Sequence, residues 1–103
     1  MAAPSNGSRR YEVHISAALA DAFRTLHRRA SRQGRGPLDS KVFRRIVRRL
    51  ELDPLNAGEP AYRLPKLRMQ VRTVIARPLV VDFGVCEDRP HVYIKGVKLL
   101  SAS

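Results

Sequence analysis

Apolar residues in this chain follow a period of two at both ends and a period near 3.6 between them, which sorts it into strands flanking a helical stretch. Tyr11, Val13 and Ile15 alternate with Glu12, His14 and Ser16, the pattern of a half-buried strand. Leu19, Ala22, Phe23, Leu26 and Ala30 then fall on one helical stripe, with Arg24, Arg28 and Arg32 on another. The Ser16 hydroxyl can accept from an unpaired amide of the first turn, so Ser16 is the expected cap. Gly34, Gly36 and Pro37 are expected to end this helix, and a second to begin near Asp39 or Ser40. The second helix carries Phe43, Ile46, Val47 and Leu50 on its apolar side and runs to about Leu52. Asp53-Pro54 stops it there, because the residue before proline is pushed out of helical geometry.

Residues 55–65 are rich in Pro, Gly and Asn and read as an irregular connection. The period then returns to two. Leu67, Met69 and Val71 alternate with Arg68, Gln70 and Arg72, which predicts a strand that hides one face and shows two arginines on the other. Ala76-Arg77-Pro78 is a turn. Leu79, Val81, Phe83 and Val85 alternate with Val80, Asp82, Gly84 and Cys86 in a third strand. Glu87 to Pro90 make a hairpin connection, and His91 to Leu100 a last strand with a bulge suspected at Gly96. The order strand-helix-helix-strand-strand-strand predicts an α+β fold, an antiparallel sheet with two helices packed on one face. Residues 1–9 read as a disordered tail and 10–100 as a single domain.

Charge changes the picture. Twelve of the twenty basic residues lie in the first fifty positions, against three acids there. Lys41, Arg44, Arg45 and Arg48 recur on the side of the second helix opposite its apolar stripe, with Arg49 beside them. Lys41–Arg45–Arg49 and Arg44–Arg48 repeat like charges at a spacing of four, which repel. A face of this kind expects a polyanion: phosphates or an acidic protein segment.

Candidate chemistry is sparse. One cysteine, Cys86, excludes an intramolecular disulfide, and in its apolar segment it reads as a small buried hydrophobe. His14, His27 and His91 fall in three different elements without metal-ligand spacing, so no metal and no cofactor is expected. No phosphate loop, dinucleotide fingerprint or serine elbow is present. No apolar run approaches the roughly 18–20 residues that span a bilayer, and the start lacks a secretory pattern. A reducing cytoplasm is the expected setting.

This order resembles the RelE/ParE superfamily of type II toxin–antitoxin toxins from about Tyr11 to Lys98. The resemblance is carried by Tyr11-Glu12-Val13-His14-Ile15-Ser16 with Ala18, Leu19, Phe23 and Leu26, then Leu52-Asp53-Pro54 with Gly58 and Leu64. It continues through Leu67 to Arg72, Val81 to Val85 and His91 to Lys95. It implies a cytoplasmic bacterial RelE-like toxin, a ribosome-associated mRNA endoribonuclease needing no metal, neutralised by a cognate acidic, partly disordered antitoxin. ParE-like members poison DNA gyrase instead, and a catalytically silent RNA-binding or antitoxin-binding relative is a third reading.

RNA cleavage by such a fold uses the substrate's 2′-hydroxyl as nucleophile, with cationic donors for the phosphate and a proton for the leaving oxygen. By the resemblance, Arg72, Lys95, Lys98 and Tyr93 are the catalytic candidates. Lys41, Arg44, Arg45, Arg48, Arg49, Arg68, Arg72 and Arg77 are the expected nucleic-acid contacts. The sequence departs from the family where an aromatic-arginine pair usually opens the third strand. Pro78-Leu79 stands there, and Leu99-Leu100 follow Lys98 in place of a basic ending. Those substitutions remove charge stabilisation that the resemblance leads one to expect at a cleavage centre.

Overall fold

The computed structural model describes residues 10–32, 34 and 36–100, so the tail expected over residues 1–9 lies outside the described residues. Strand β1 (Glu12–His14) leads into helices α1 (Ala17–Arg32) and α2 (Gly36–Leu52). The chain returns through β2 (Glu59–Leu64), β3 (Met69–Ala76), β4 (Leu79–Cys86) and β5 (His91–Leu99), with short 3-10 turns at Pro54–Asn56 and Pro65–Leu67. The strands form one sheet in the order β1-β5-β4-β3-β2.

The class is α+β, as the periodicities predict, but the sheet is mixed. β1 pairs in parallel with β5, Val13 opposite Val92 and His14 opposite Tyr93, whereas the other pairs are antiparallel. The Glu12 amide donates to the Pro90 carbonyl at 2.8 Å and the Tyr11 amide to the Glu51 carbonyl at 2.8 Å. These bonds seat β1 between the β4–β5 connection and the end of α2. β2 is a second correction, because the segment read as irregular is an edge strand. Five of its six residues are exposed, so no hydrophobic alternation betrays it, and Pro60 is tolerated because an edge strand leaves half its amides unpaired.

The core lies between α1, α2 and one face of the sheet. Leu19, Val42, Ile46 and Leu50 meet Leu79, Val81, Phe83 and Val85 of β4 and Val92 and Ile94 of β5. Phe43 stacks on Phe23 with ring centroids 4.4 Å apart, closing the helix pair; such a contact contributes about 0.5–1.5 kcal/mol beyond its buried area. Ser16 caps α1 as expected, its hydroxyl accepting from the Leu19 amide at 3.1 Å. α2 starts earlier than expected. Gly36 and Pro37 form its first turn, where proline costs no hydrogen bond, and Ser40 lies inside it with its hydroxyl 3.3 Å from His27 Nδ1.

Two details of register decide which side chains share a face. Arg72 pairs with Phe83, Val74 with Val81 and Ala76 with Leu79, and paired residues point the same way, so Gln70 and Arg72 lie on the helix side. Met69 and Val71 occupy the opposite face and are buried as expected, but the Arg72 face, expected to be open, is covered as well. In β5 the pairing passes from Asp82–Gly96 to Phe83–Ile94, leaving Lys95 as the extra residue of a bulge. That bulge at Lys95-Gly96 matches the suspected interruption. It lets Ile94 and Val97, three apart, both reach the core. Cys86 is buried, as a small hydrophobe should be.

Candidate nucleic-acid interface and a histidine cluster

Burial of Val42, Ile46 and Leu50 fixes the rotation of α2, so its remaining surface must face water. Lys41, Arg44, Arg45, Arg48 and Arg49 are all exposed there. Among the described residues no carboxylate comes within 4.0 Å of any of them. Glu51 lies three positions after Arg48 on the same helix and forms no such pair. Arg49 is tethered, donating through Nη2 to the Asn56 carbonyl at 3.1 Å. By contrast α1 offsets one of its arginines, since Arg24 pairs with Asp21 one turn earlier. Arg45 and Arg49 also rim an apolar cavity of about 230 Å³ floored by Ile46, Leu50, Ala57, Val74 and Ala76.

The strand residues do not converge on one site. Arg72 is only 8 % exposed, and its guanidinium is engaged inside the protein. Nε donates to the Ala57 carbonyl at 2.9 Å, Nη2 to the Gly58 carbonyl at 3.1 Å and Nη1 to Gln70 Oε1 at 2.6 Å. This corrects the expectation of an Arg72 exposed on an open strand face: three of its N–H groups are spent on internal acceptors, with Gln70 orienting the fork. Arg68 sits outside β3 at the end of a 3-10 turn, with φ 48°, its Nη1 3.9 Å from Asp88. Arg77 lies at the other end of β3, roughly 30 Å away along a strand rising about 3.3 Å per residue. It is exposed in the turn after Ala76 and is not among the residues lining the cavity that Arg45 and Arg49 rim. Tyr93, Lys95 and Lys98 are exposed on β5. Asp82, a potential tether for a strand cation, instead accepts from the Thr73 hydroxyl at 2.6 Å.

A second constellation is assembled by the parallel β1–β5 pairing. Glu12 stands opposite His91 and His14 opposite Tyr93, and alternate residues of a strand share a face, so all four side chains meet on the sheet face away from the helices. His14 Nε2 lies 3.0 Å from His91 Nδ1, and Glu12 Oε1 lies 3.6 Å from the former and 3.4 Å from the latter. Tyr93 stacks on the His14 ring at 4.6 Å, fixing its tilt. The side chains of His14 and His91 remain 37 % and 29 % exposed, so the pair is open to solutes. Two imidazoles at this distance can share a proton or present two lone pairs to one cation.

The histidines lie in different elements, so their spacing along the chain predicts no metal. The parallel pairing of the first and last strands brings His14 and His91 together across 77 positions, a relation that spacing does not carry. The available signal was Glu12 and His14 two apart in one strand, with His91 opening another. His27 stays apart, beside Phe23 and Ser40. No protein-family model matches the chain, and neither a curated protein nor a solved structure matches it significantly.

Proposed function

We propose that this protein binds RNA through the cationic face of α2 and works as a RelE-like toxin docked on the ribosome. The observation that carries the reading is the set of five bases within residues 41–49, exposed together and free of carboxylate partners among the described residues. Mutual repulsion makes such a face costly in isolation, and phosphate relieves it. Titration of a ribosomal RNA helix against the full chain at several salt concentrations tests it. Log affinity should fall linearly with log salt, and Arg44→Gln, Arg45→Gln and Arg48→Gln together should reduce the slope by roughly 2–3. Salt-independent binding, or a triple variant that binds like the parent, would overturn the reading.

The internal engagement of Arg72 favours a second form of the proposal, a relative that binds without cutting. Of the four residues expected at a cleavage centre, Tyr93, Lys95 and Lys98 remain exposed while Arg72 is withdrawn. Primer extension after brief induction separates the forms: truncated mRNA supports the endoribonuclease, intact mRNA the binding protein, and broken chromosomal DNA a gyrase poison. The apolar cavity rimmed by Arg45 and Arg49 suits an acidic antitoxin segment that inserts an apolar side chain and pairs its carboxylates with the rim.

A further inference from the structure

We propose that Glu12, His14 and His91 form a binding site for a zinc-like divalent transition-metal ion on the sheet face away from the helices. The proposal stands on the shape of the donor triangle. Zinc bonds to nitrogen and oxygen of about 2.0–2.1 Å in a tetrahedron put neighbouring ligand atoms roughly 3.3–3.4 Å apart. The three donor separations here are 3.0, 3.4 and 3.6 Å. The same carboxylate oxygen, Oε1, is the one that approaches both rings. All three groups lie together as possible ligands before any ion is added. An ion capping the triangle therefore needs only small side-chain adjustments.

The backbone around the site is held by pairing. Glu12 and His91 are direct partners across β1 and β5, and the bond from the Glu12 amide to Pro90 locks their register. Tyr93, stacked on His14, restricts that ring and supplies an apolar flank. Donor chemistry sets the class of ion. Two imidazoles and one carboxylate suit zinc, cobalt or nickel, whereas magnesium and calcium prefer all-oxygen shells. Each neutral imidazole gives one nitrogen to the ion and carries its hydrogen on the other, so the contact between His14 Nε2 and His91 Nδ1 is exchanged for two bonds to the metal. The carboxylate brings the only charge of the set, leaving the bound dication partly uncompensated and its fourth position open to water or an anionic oxygen. This site is separate from the α2 face and stands whether or not RNA binds there.

Zinc chloride titrated calorimetrically into tag-free, chelator-stripped full-length protein near neutral pH should bind once per chain with micromolar or tighter affinity. His14→Ala and His91→Ala should each weaken binding by roughly 100-fold, at or above the 10–100-fold that outer-shell partners alone are worth. Glu12→Gln should weaken it by about tenfold, and His27→Ala and Cys86→Ser should leave it unchanged. If either histidine variant fails to fold, imidazole proton shifts of the parent chain decide: zinc should move His14 and His91 and spare His27. No saturable binding below about 1 mM zinc, binding that survives loss of both histidines, or shifts confined to His27 would each overturn the proposal.

Discussion

Arg72 and Gly58 hold one another in place from two directions. The Arg72 Nη2 donates to the Gly58 carbonyl at 3.1 Å, while the glycine backbone, at φ +66°, lies against the carbonyl of Thr73, the residue next to Arg72. With the bond to Ala57, this fastens the chain leaving α2 to the interior of β3 just before β2 begins. Removing the fork leaves two carbonyls and Gln70 without their donor. Arg72→Ala should therefore destabilise the protein by about 2–4 kcal/mol, read from the urea midpoint. Arg72→Lys should recover only part of this, because one ammonium cannot reproduce three diverging N–H bonds. A variant as stable as the parent would mean that the clamp contributes nothing.

The glycine side of the same contact is equally demanding. A Cβ at Gly58 would overlap the Thr73 carbonyl, and the backbone already occupies the left-handed region that side chains avoid. Gly58→Ala should cost about 2 kcal/mol or more, from strain plus displacement of β3. Gly34, also at positive φ but with nothing within 4 Å, should lose only the conformational part, roughly 1 kcal/mol, on the same substitution. Equal losses at the two positions would show that the close approach at Gly58 carries no weight.

Much of this architecture was legible because burial on one side leaves a periodic trace. α2 buries Val42, Ile46 and Leu50 and exposes its bases in phase, Leu79, Val81, Phe83 and Val85 of β4 reach the core at every second position, and the Ser16 cap and the Asp53-Pro54 stop are local effects. What escaped depends on distant pairing. β2 has almost no buried side, so its pairing with β3 leaves no pattern in its own residues. Arg72 was expected on an open face because Met69 and Val71 read as the hidden one, and both faces of β3 are buried there. The helix side carries Val74 and Ala76, with Gln70 and Arg72 occupying its polar end. The histidine cluster required knowing that the first strand lies beside the last.

The pair between Arg63 on edge strand β2 and Glu87 in the β4–β5 connection spans β3, with Nε and Nη2 donating to the carboxylate at 2.7 and 2.6 Å. Those hydrogen bonds, more than the charge attraction, hold the Glu87 carboxyl below its ordinary range. A carboxyl with a lowered folded value contributes stability above its unfolded value and loses it as pH falls through the folded one. The raised Arg63 value lies too high to matter in that range. The parent should melt slightly above Glu87→Gln near neutral pH and level with it in strong acid. An advantage that grows on acidification would contradict the pairing. The effect should be small, because both groups face water and salt screens them.

The α2 face should show stability and binding moving in opposite directions. Arg45 lies four residues from both Lys41 and Arg49, and each like-charge pair at that spacing costs about 0.2–0.5 kcal/mol. Arg45→Gln removes both, so the free protein should gain roughly 0.4–1 kcal/mol in a low-salt urea melt, with the gain shrinking as salt is added. The same substitution should weaken RNA binding and reduce its salt slope by about 0.7–0.9. A purely structural arginine would lower stability and leave the slope alone. A residue retained for an anionic partner does the reverse, so the signs of the two changes, measured on one variant, decide what this helix face is for.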